Sequence, residues 1–599
     1  MSTGLAEPRH AFDESRRLLG ANRWYAGTAV ALVPLGPAAA DGAAQGRWIA
    51  QVVATCAALG WPEPDPHVHQ HAQGVILVFA APAGALFTAT EINEWAWERA
   101  AAAHPAHAAA GFDLAQPDLD DAREHFRARA AAERSRPLER LSEAAAAHGV
   151  PLLADDDSVS LGEGRHSRTW PRAALPLPLD VPWAELRACP KLLVTGSNGK
   201  TTTTRLLAAI AQAAGFVPGL SSTEGVMVGG VRVETGDWAG PAGARAVLRH
   251  PAVTAAVLET ARGGLLRRGL AVAQADVAVV TNVSADHLGE GGIDTVHDIA
   301  FVKLVVAHAL TRLAGQRPGT LVLNGACDPL LRVAAHLKHS SHASWALFAP
   351  DHDTPLLATL RRHGGSTCGA RDGRLVLSLQ GTEHDLGAIT DMPLALGGAA
   401  AYNVENLAAA ALAAATLGWP LEEVREVLAR FGASPDDNPG RLERHAWRGA
   451  TALVDYAHNP DGMRVLGGTA MAVPAARRLL VLGQAGNRDN AQLVALAQAA
   501  WASARYDRVF LKEMPEMLRG RAPGEVTQVL RAALLEAGAP PDAISAWPSE
   551  LEAVRAALAW AQPGDLLVLP THAQKEAVDA LLGGLLALGW RAGEPLALQ

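Results

Sequence analysis

Cysteine and long apolar runs are both scarce in this chain of 599 residues. The four cysteines are Cys56, Cys189, Cys327 and Cys368. They lie far apart and form no CxxC pair, so we expect buried, reduced thiols in place of a disulfide framework or a cysteine metal site. No run of 18 strongly apolar residues occurs, and the N-terminus lacks the apolar segment of a secretory signal. We therefore expect no membrane association and a cytoplasmic location.

Charged residues are also sparse, at 19% of the chain, and the balance is acidic. Lys and Arg total 52 against 61 Asp and Glu, a formal net charge of -9. This balance argues against nucleic acid as a partner. Hydrophobic residues make up 49%, which is ample for several cores. At roughly 150 residues per domain, the length predicts three or four domains.

Three regions differ in their pattern. Residues 1–186 mix short apolar runs with a long helical segment and predict an α+β N-terminal domain, which ends in a proline-rich linker at 171–182. Residues 187–435 alternate apolar strands such as KLLVTG and AAVLET with helices, which predicts a doubly wound parallel sheet. Residues 436–599 repeat that alternation and predict a smaller, Rossmann-like α/β domain. The fold class predicted is therefore α/β, with a P-loop central domain.

A phosphate-binding loop is the strongest chemical signal. Its candidates are Gly196, Ser197, Asn198, Gly199, Lys200, Thr201 and Thr202. They lie between a predicted strand and a predicted helix, where glycines let the backbone wrap a phosphate and the helix N-terminus directs N–H groups toward it. Lys200 would reach the terminal phosphates, and the Thr201 hydroxyl would bind Mg²⁺. The spacing is shorter than in the common P-loop, and a glycine turn without a ligand is the alternative.

Two further candidates follow predicted strands of the same sheet. Glu259 ends AAVLET, and His287 follows VAVVTNVSAD. A doubly wound sheet binds its ligand at the carboxyl ends of its strands. A carboxylate and an imidazole there could complete the coordination of one or two Mg²⁺ ions. Taken singly, each is better explained as a surface or capping residue. Beside the phosphate-binding loop, metal coordination is the better explanation.

The ordered strings GSNGKTTTTR, LETARGG, NVSADHLGEGGI, NPGRLE and DYAHNPDG resemble the Mur ligase family, and ETARGG, GEGGI and RGRAPGE resemble its cyanophycin synthetase branch. The similarity covers about residues 190 to 599. The resemblance implies an ATP-dependent ligase that phosphorylates a carboxylate to an acyl phosphate, which an amine then attacks. It also implies ATP and two Mg²⁺ ions as cofactors.

The resemblance assigns metal ligands. Thr201 and Glu259 would hold the first Mg²⁺, and His287 with Glu259 would help to hold the second. Lys303 matches the family lysine that becomes a carbamate, although it lies somewhat farther along the chain from His287 than is usual. An exposed helical lysine is the alternative for Lys303. By the same resemblance the catalytic residues are Lys200, Glu259, His287 and Lys303.

The resemblance also assigns nucleotide contacts to the later part of the chain. Asn406 would contact adenine, although Tyr402 stands where the family usually has histidine. Arg441 would neutralise the ATP phosphates, a role suited to a guanidinium group. Three residues of DYAHNP would close the last domain over the nucleotide: Asp455, His458 and Asn459. Such closure excludes the water that would hydrolyse an acyl phosphate.

The N-terminal region resembles the start of the same branch through LLGANRW, ATEINEWAW and VSLGEGRHSR. Only about 20 residues separate Arg168 from the strand at Lys191, too few for an ATP-grasp module, because even a small domain needs roughly 50. We expect a domain that helps to present a substrate polymer. An unrelated α+β domain is the alternative.

The sequence thus predicts a carboxylate–amine ligase. By resemblance, it would join an amino acid such as arginine to the aspartyl side chain of a cyanophycin-like peptide. The alternatives are a ligase for another small amino-acid or peptide metabolite, and a nucleotide-binding accessory subunit without ligase activity. The relatives suggest a homo-oligomer, a dimer or larger.

Overall fold

The computed structural model describes residues 10–109, 119–286, 288–310, 319–337 and 343–596. His287 lies outside the described residues. The chain divides into a first unit, Met1–Leu347 with Leu412–Trp419, and a second unit, Phe348–Ala411 with Pro420–Gln599. The domain limits predicted at 186 and 435 stay predictions.

The N-terminal region is α+β, as expected. Its antiparallel sheet has the order β1-β2-β4-β3, formed by β1 (Phe12–Leu18), β2 (Ala29–Pro34), β3 (His67–His71) and β4 (Gly74–Ala80). The helices are α1 (Gly42–Ala58), α2 (Leu86–Ala102), α3 (Pro105–Ala109), α4 (Leu119–Glu133) and α5 (Arg136–His148). Trp48 of α1 and Trp97 of α2 are fully buried in one core with Leu77 and Phe79 of β4. Burying such large side chains supplies much of the stability of this region.

The proline-rich stretch is more than a flexible linker. After a small sheet of β5 (Leu152–Ala154), β6 (Ser158–Leu161) and β7 (Arg168–Pro171), the chain makes short 3-10 turns. Val181 and Leu186 of this stretch are each 5% exposed and share a core with Leu141 of α5. The prolines therefore shape a packed segment.

A doubly wound parallel sheet forms the centre of the first unit, as predicted. Its strands are β8 (Lys191–Thr195), β9 (Pro218–Ser222), β10 (Gly225–Val228), β11 (Val231–Thr235), β12 (Ala255–Glu259), β13 (Val277–Val280) and β14 (Thr320–Asn324). The order is β11-β10-β9-β12-β8-β13-β14, with parallel pairing from β9 to β14. The helices are α6 (Lys200–Ala213), α7 (Pro241–Leu248), α8 (Arg262–Arg268), α9 (Val296–Leu304) and α10 (Asp328–Leu337). Because β8 lies between β12 and β13, the loops after these three strands meet at one sheet edge.

The next part of the chain contains β15 (Ser344–Asp351), α11 (Pro355–Arg362), β16 (Ser366–Arg371), β17 (Arg374–Leu379), β18 (Thr382–Ala388), α12 (Ala401–Thr416) and α13 (Leu421–Arg430). Strands β16, β17 and β18 pair antiparallel. The sequence analysis did not predict this meander.

The C-terminal region is a second α/β fold, as predicted. Its strands are β19 (Glu443–Ala446), β20 (Thr451–Asp455), β21 (Arg478–Leu482), β22 (Arg508–Lys512), β23 (Ile544–Trp547) and β24 (Leu566–Pro570), in the order β19-β20-β24-β21-β22-β23. All neighbours pair parallel except β19, which pairs antiparallel with β20. The helices are α14 (Pro460–Ala472), α15 (Asn490–Ser503), α16 (Glu525–Glu536), α17 (Glu550–Trp560) and α18 (Lys575–Ala587).

Two expectations from composition can be compared with the described residues. None of their helices has the length and apolar character needed to cross a membrane. All four cysteines are free thiols; Cys56, Cys189 and Cys368 are buried, and Cys327 is half-buried.

Candidate functional site

The phosphate-binding loop has the predicted strand–loop–helix form. Strand β8 ends at Thr195 and α6 begins at Lys200. Gly199 is the N-cap of α6, with a left-handed φ of 82°, and supplies no side chain to cap the helix. The N-cap residue of α6 therefore offers no side-chain acceptor to the backbone N–H groups of the first turn. Such a helix end suits an anion.

Gly196 is required by close packing against the neighbouring strand end. Its φ is +148°, and a Cβ at this position would lie 1.9 Å from the Oγ1 atom of Thr281. The Thr281 hydroxyl donates to the carbonyl of Asn198 at 2.6 Å. The backbone N–H of Asn198 donates to the side-chain oxygen of Asn282 at 2.9 Å. These bonds fix the loop before any ligand binds.

Thr281 and Asn282 are functional residues that the sequence analysis missed. They follow β13 directly, in the string TNVSAD, and in this stretch of the chain only the next residue, His287, was singled out. Their position after the strand next to β8 was the available signal, because loops at that edge meet the phosphate-binding loop.

Lys200 is oriented along the loop. Its Nζ atom donates to the carbonyl of Ser197 at 2.9 Å. The bond holds the ammonium group over the loop backbone, where phosphate oxygens would lie in a nucleotide complex.

Thr201 and Glu259 meet as predicted. Glu259 is the last residue of β12, and its register partner on β8 is Val194. The Thr201 hydroxyl donates to the Glu259 carboxylate at 2.9 Å, and the two residues are 5% and 2% exposed. A buried hydroxyl and carboxylate side by side offer the oxygen ligands that Mg²⁺ prefers.

Lys303 is buried at the end of α9, with 3% of its surface exposed. The alternative of an exposed helical lysine is therefore wrong. Burial lowers the pKa of Lys303 well below its usual value, and the cations Lys200 and Arg262 lower it further, against the opposing charges of Asp286 and Glu259. A neutral amine is the form that reacts with CO₂ to give a carbamate.

The Asp455 carboxylate organises a second group, which lies in the second unit. Asp455 ends β20 and accepts bonds from the backbone N–H groups of Leu442 at 2.7 Å and Ala457 at 2.8 Å. Burial raises the pKa of this carboxyl above its usual value, although Arg441 and the two N–H groups oppose the change. The Arg441 guanidinium lies 4.4 Å from the centre of the Tyr456 ring, a cation–π contact.

His458 and Asn459 follow in the same loop. The Asn459 side chain caps α14 by accepting from the N–H of Gly462 at 2.7 Å. The carbonyl of His458 accepts a bond from the side-chain amide of Gln484. The string DYAHNP is thus held by its own carboxylate and amide side chains.

Asn406 lies on α12 and is 4% exposed. Its amide donates to the side-chain oxygen of Asn403 at 2.9 Å, and Asn403 donates to the carbonyl of Leu394 at 3.0 Å. Tyr402, the departure from the family pattern, packs against the C-terminal core, and burial raises its pKa well above the usual value.

The predicted residues thus form two groups, one in each unit. The first unit brings together the loop Gly196–Thr202, Glu259 and Lys303, and the second brings together Arg441, Asp455, His458 and Asn459. The first group fits a nucleotide phosphate with Mg²⁺, because a cradle that excludes a Cβ and a buried hydroxyl–carboxylate pair lie together. Among the described residues, the site included, no set of three His, Cys, Asp or Glu side chains could hold a metal ion.

Comparisons with known proteins identify the family of the chain. Residues 194–414 match the Mur ligase middle domain, and residues 440–570 match the Mur ligase glutamate ligase domain. The cyanophycin synthetase of Synechocystis sp. is 38% identical over 347 residues, 58% of this chain and 38% of the relative. That of Trichormus variabilis is 36% identical over 65% of this chain and 42% of the relative. The chain spans less than half the length of these curated relatives.

More distant similarities extend across the same part of the chain. The UDP-N-acetylmuramoyl-L-alanyl-D-glutamate–2,6-diaminopimelate ligase of Geobacillus kaustophilus is 28% identical over 63% of this chain and 72% of the relative. Among solved structures, E. coli FolC in complex with DHPP and ADP is 20% identical with a TM-score of 0.47, covering 67% of this chain and 89% of that chain.

The two matched domains together cover more than half of the chain, and each contains one of the two residue groups. The protein belongs to the Mur ligase family, a family of ATP-dependent ligases.

Proposed function

We propose that the protein is an ATP-dependent carboxylate–amine ligase that activates its carboxylate substrate as an acyl phosphate. The observation that carries this proposal is the contact between Thr201 and Glu259 beside the phosphate-binding loop. A phosphate cradle alone would serve any nucleotide-binding protein. A buried hydroxyl and carboxylate that can bind Mg²⁺ next to the cradle are the arrangement that phosphoryl transfer requires.

The residues of the first unit would hold and orient the transferred phosphoryl group. Backbone N–H groups of the loop and the ammonium of Lys200 would bind the phosphate oxygens. Thr201, Glu259, His287 and Lys303 as its carbamate would hold two Mg²⁺ ions. The bound metal neutralises charge that develops on the phosphoryl oxygens. Catalysis of this kind depends mainly on positioning and charge neutralisation.

The residues of the second unit would complete the nucleotide site. Asn406 would contact adenine, Arg441 would bind phosphate oxygens, and the loop with Asp455, His458 and Asn459 would close over the nucleotide. The bonds that already hold Asp455 support this role, because a preformed loop loses little conformational entropy on closure.

The substrates we propose are an amino acid such as arginine and the side-chain carboxylate of an aspartyl peptide or cyanophycin-like polymer. The identity of 36–38% to cyanophycin synthetases supports this choice. Substrate choice depends on pocket shape, which a shared motif does not determine. The test can also give two other outcomes. One is a ligase for another amino-acid or peptide metabolite, and the other is an accessory subunit without ligase activity.

The test is phosphate release from ATP and Mg²⁺ by the purified full chain. Each amino acid is combined with aspartyl peptides, the β-Asp-Arg dipeptide or cyanophycin, and products are identified by mass spectrometry. The proposal predicts stimulated release with a product heavier by one amide condensation. Lys200→Ala should abolish the stimulated phosphate release and the product, while the melting temperature stays unchanged. A product formed at the same rate by Lys200→Ala would contradict the proposed mechanism.

A further inference from the structure

The N-terminal sheet contacts the loop that follows the predicted metal residues. Arg23 donates to the carbonyl of Gly292 at 2.8 Å, and Nε2 of His69 donates to the same carbonyl at 2.9 Å. The backbone N–H of Ala72 donates to the Asp294 carboxylate at 2.7 Å. Three bonds from the N-terminal region therefore converge on residues 292–294. These residues lie between the end of the Asp286–His287 string and α9.

Arg23 also binds the cap of α9. Its guanidinium forms an ion pair with Asp298, and the two side chains are 9% and 20% exposed. Asp298 accepts from the backbone N–H of Thr295 at 2.9 Å and from its hydroxyl at 2.8 Å, while Thr295 accepts from the N–H of Asp298. This capping box fixes the start of the helix that carries Lys303.

The contact leaves no room for a side chain on the loop. Gly292 has a φ of +75°, and a Cβ at this position would lie 2.8 Å from Cδ1 of Ile76 on β4. The loop backbone at Gly292 therefore packs directly against Ile76 of the N-terminal sheet. This packing positions the loop in addition to the hydrogen bonds.

The same N-terminal segment is anchored on its other side to α8. The N–H of Leu19 donates to the carbonyl of Arg268 at 2.7 Å, and the N–H of Leu270 donates to the carbonyl of Ala21 at 2.7 Å. Helix α8 follows Glu259 in the chain. Residues 19–23 thus connect the end of α8, the helix that follows Glu259, with the cap of α9, the helix that carries Lys303.

We propose that Arg23 is a positioning residue for the magnesium site, through Gly292 and the capped start of α9. The inference rests on the proposed function, since the site that Arg23 positions is the one proposed there. It assigns the N-terminal region a part in the ligase site, in addition to any part in presenting a polymer. Removing one partner of a largely buried, hydrogen-bonded ion pair costs more than removing one partner of a surface pair, because the remaining charge is left buried and uncompensated.

Hydrogen exchange in the full chain without nucleotide tests the contact independently of activity. In Arg23→Gln, amides of residues 288–304 should exchange about tenfold faster, the effect of losing a charge-assisted bond. The matched control is Arg47→Gln. Arg47 likewise binds one carbonyl, of Ala100 at 3.1 Å, and one carboxylate, of Asp41 at 3.7 Å, both within the N-terminal region. Unchanged exchange at 288–304 in Arg23→Gln would overturn the proposal.

Kinetics then separate positioning from general destabilisation. With the substrate pair found for the wild-type protein, Arg23→Gln should raise the Mg²⁺ concentration for half-maximal rate about tenfold while the KM for ATP stays within about twofold. Arg23→Lys should recover part of the loss, and Asp298→Asn should add little to Arg23→Gln. An equal increase in the half-maximal Mg²⁺ concentration and in the KM for ATP would contradict the assigned role. Additive effects of Arg23→Gln and Asp298→Asn would contradict it as well. If wild-type protein ligates nothing, the proposed function fails, while the exchange experiment still decides whether Arg23 orders the loop.

Discussion

The Thr201 hydroxyl donates a hydrogen bond of 2.9 Å to the Glu259 carboxylate, although 58 residues separate the two in sequence. Their meeting follows from the parallel pairing of β8 with β12, which places the loop and the first turn of α6 after β8 beside the last residue of β12. The bond orients the two oxygen atoms that we propose as Mg²⁺ ligands. Such preorganisation reduces the rearrangement that metal binding requires.

Removing the hydroxyl should weaken magnesium binding. In Thr201→Val we expect about a 10- to 100-fold loss of Mg²⁺ affinity and of kcat, because one ligand and the orienting bond on Glu259 are lost together. The control is Thr204→Val on the same helix, a fully buried residue whose hydroxyl has no hydrogen-bond partner among the described residues. Mg²⁺ titrations of activity check this. Equal losses in both variants would refute a specific role for Thr201.

Lys303 should carry a carbamate. Burial lowers the pKa of Lys303 well below its usual value, which favours the neutral amine that reacts with CO₂. In protein equilibrated with ¹³C-bicarbonate, we expect one carbamate carbon signal by NMR that Lys303→Met lacks, together with a large loss of kcat. A signal that persists in Lys303→Met would place the carbamate elsewhere.

Gly196 should tolerate no side chain. In Gly196→Ala the new methyl would meet Oγ1 of Thr281, so we expect a lower melting temperature and loss of nucleotide binding, measured by calorimetry. Gly46→Ala in α1, where a Cβ meets nothing within 4 Å, should instead stabilise the protein by about 0.5–1 kcal/mol. Normal nucleotide affinity in Gly196→Ala would show that the loop is less tightly held than the structure indicates.

A buried ion pair in the C-terminal region should be sensitive to removal of one partner. Lys512 Nζ donates to the Glu550 carboxylate, and both side chains are fully buried. In Glu550→Gln we expect a loss of about 3–5 kcal/mol in the free energy of unfolding, because a buried charge is left uncompensated. The control is the exposed ion pair between Arg134 and Glu139. Glu139→Gln should leave the free energy of unfolding unchanged. Denaturant unfolding measures both, and equal effects would contradict the account.

His572 should make stability depend on pH. Its Nδ1 atom lies 3.1 Å from Lys512 Nζ, and burial with that cation lowers its pKa well below the usual value. The unfolded state then binds more protons as the pH falls through about 6.5, so stability present above that pH is lost below it. His572→Gln should flatten the decline in the free energy of unfolding between pH 6.5 and 5. A profile of unchanged slope would count against a neutral His572.

Sequence reasoning predicted the local fold around this site correctly. The strand, loop and helix around Lys200 lie in one continuous segment, and a short apolar run such as AAVLE, bounded by turn residues, indicates a buried strand. The parallel order then brings Glu259 to the loop by rules that hold for all such sheets. Features of this kind need no knowledge of side-chain packing.

What sequence reasoning missed depends on contacts between distant segments. The burial of Lys303 arises from tertiary packing, and helix α9 has no pattern that reveals it. Arg23 and Asp298 are 275 residues apart, and each looks like an ordinary surface charge in sequence. Likewise, Thr281 supports the loop because Gly196 leaves space for it, a relationship that is visible only in three dimensions.

The transfer of oxygen from carboxylate to phosphate tests the central claim most directly. The carboxylate acceptor identified by substrate-dependent phosphate release is labelled with ¹⁸O and incubated with ATP, Mg²⁺, the amine and the full chain. An acyl phosphate intermediate predicts that one labelled oxygen appears in the released inorganic phosphate for each amide formed. Label in AMP, or unlabelled phosphate alongside the amide, would contradict the mechanism proposed for this site.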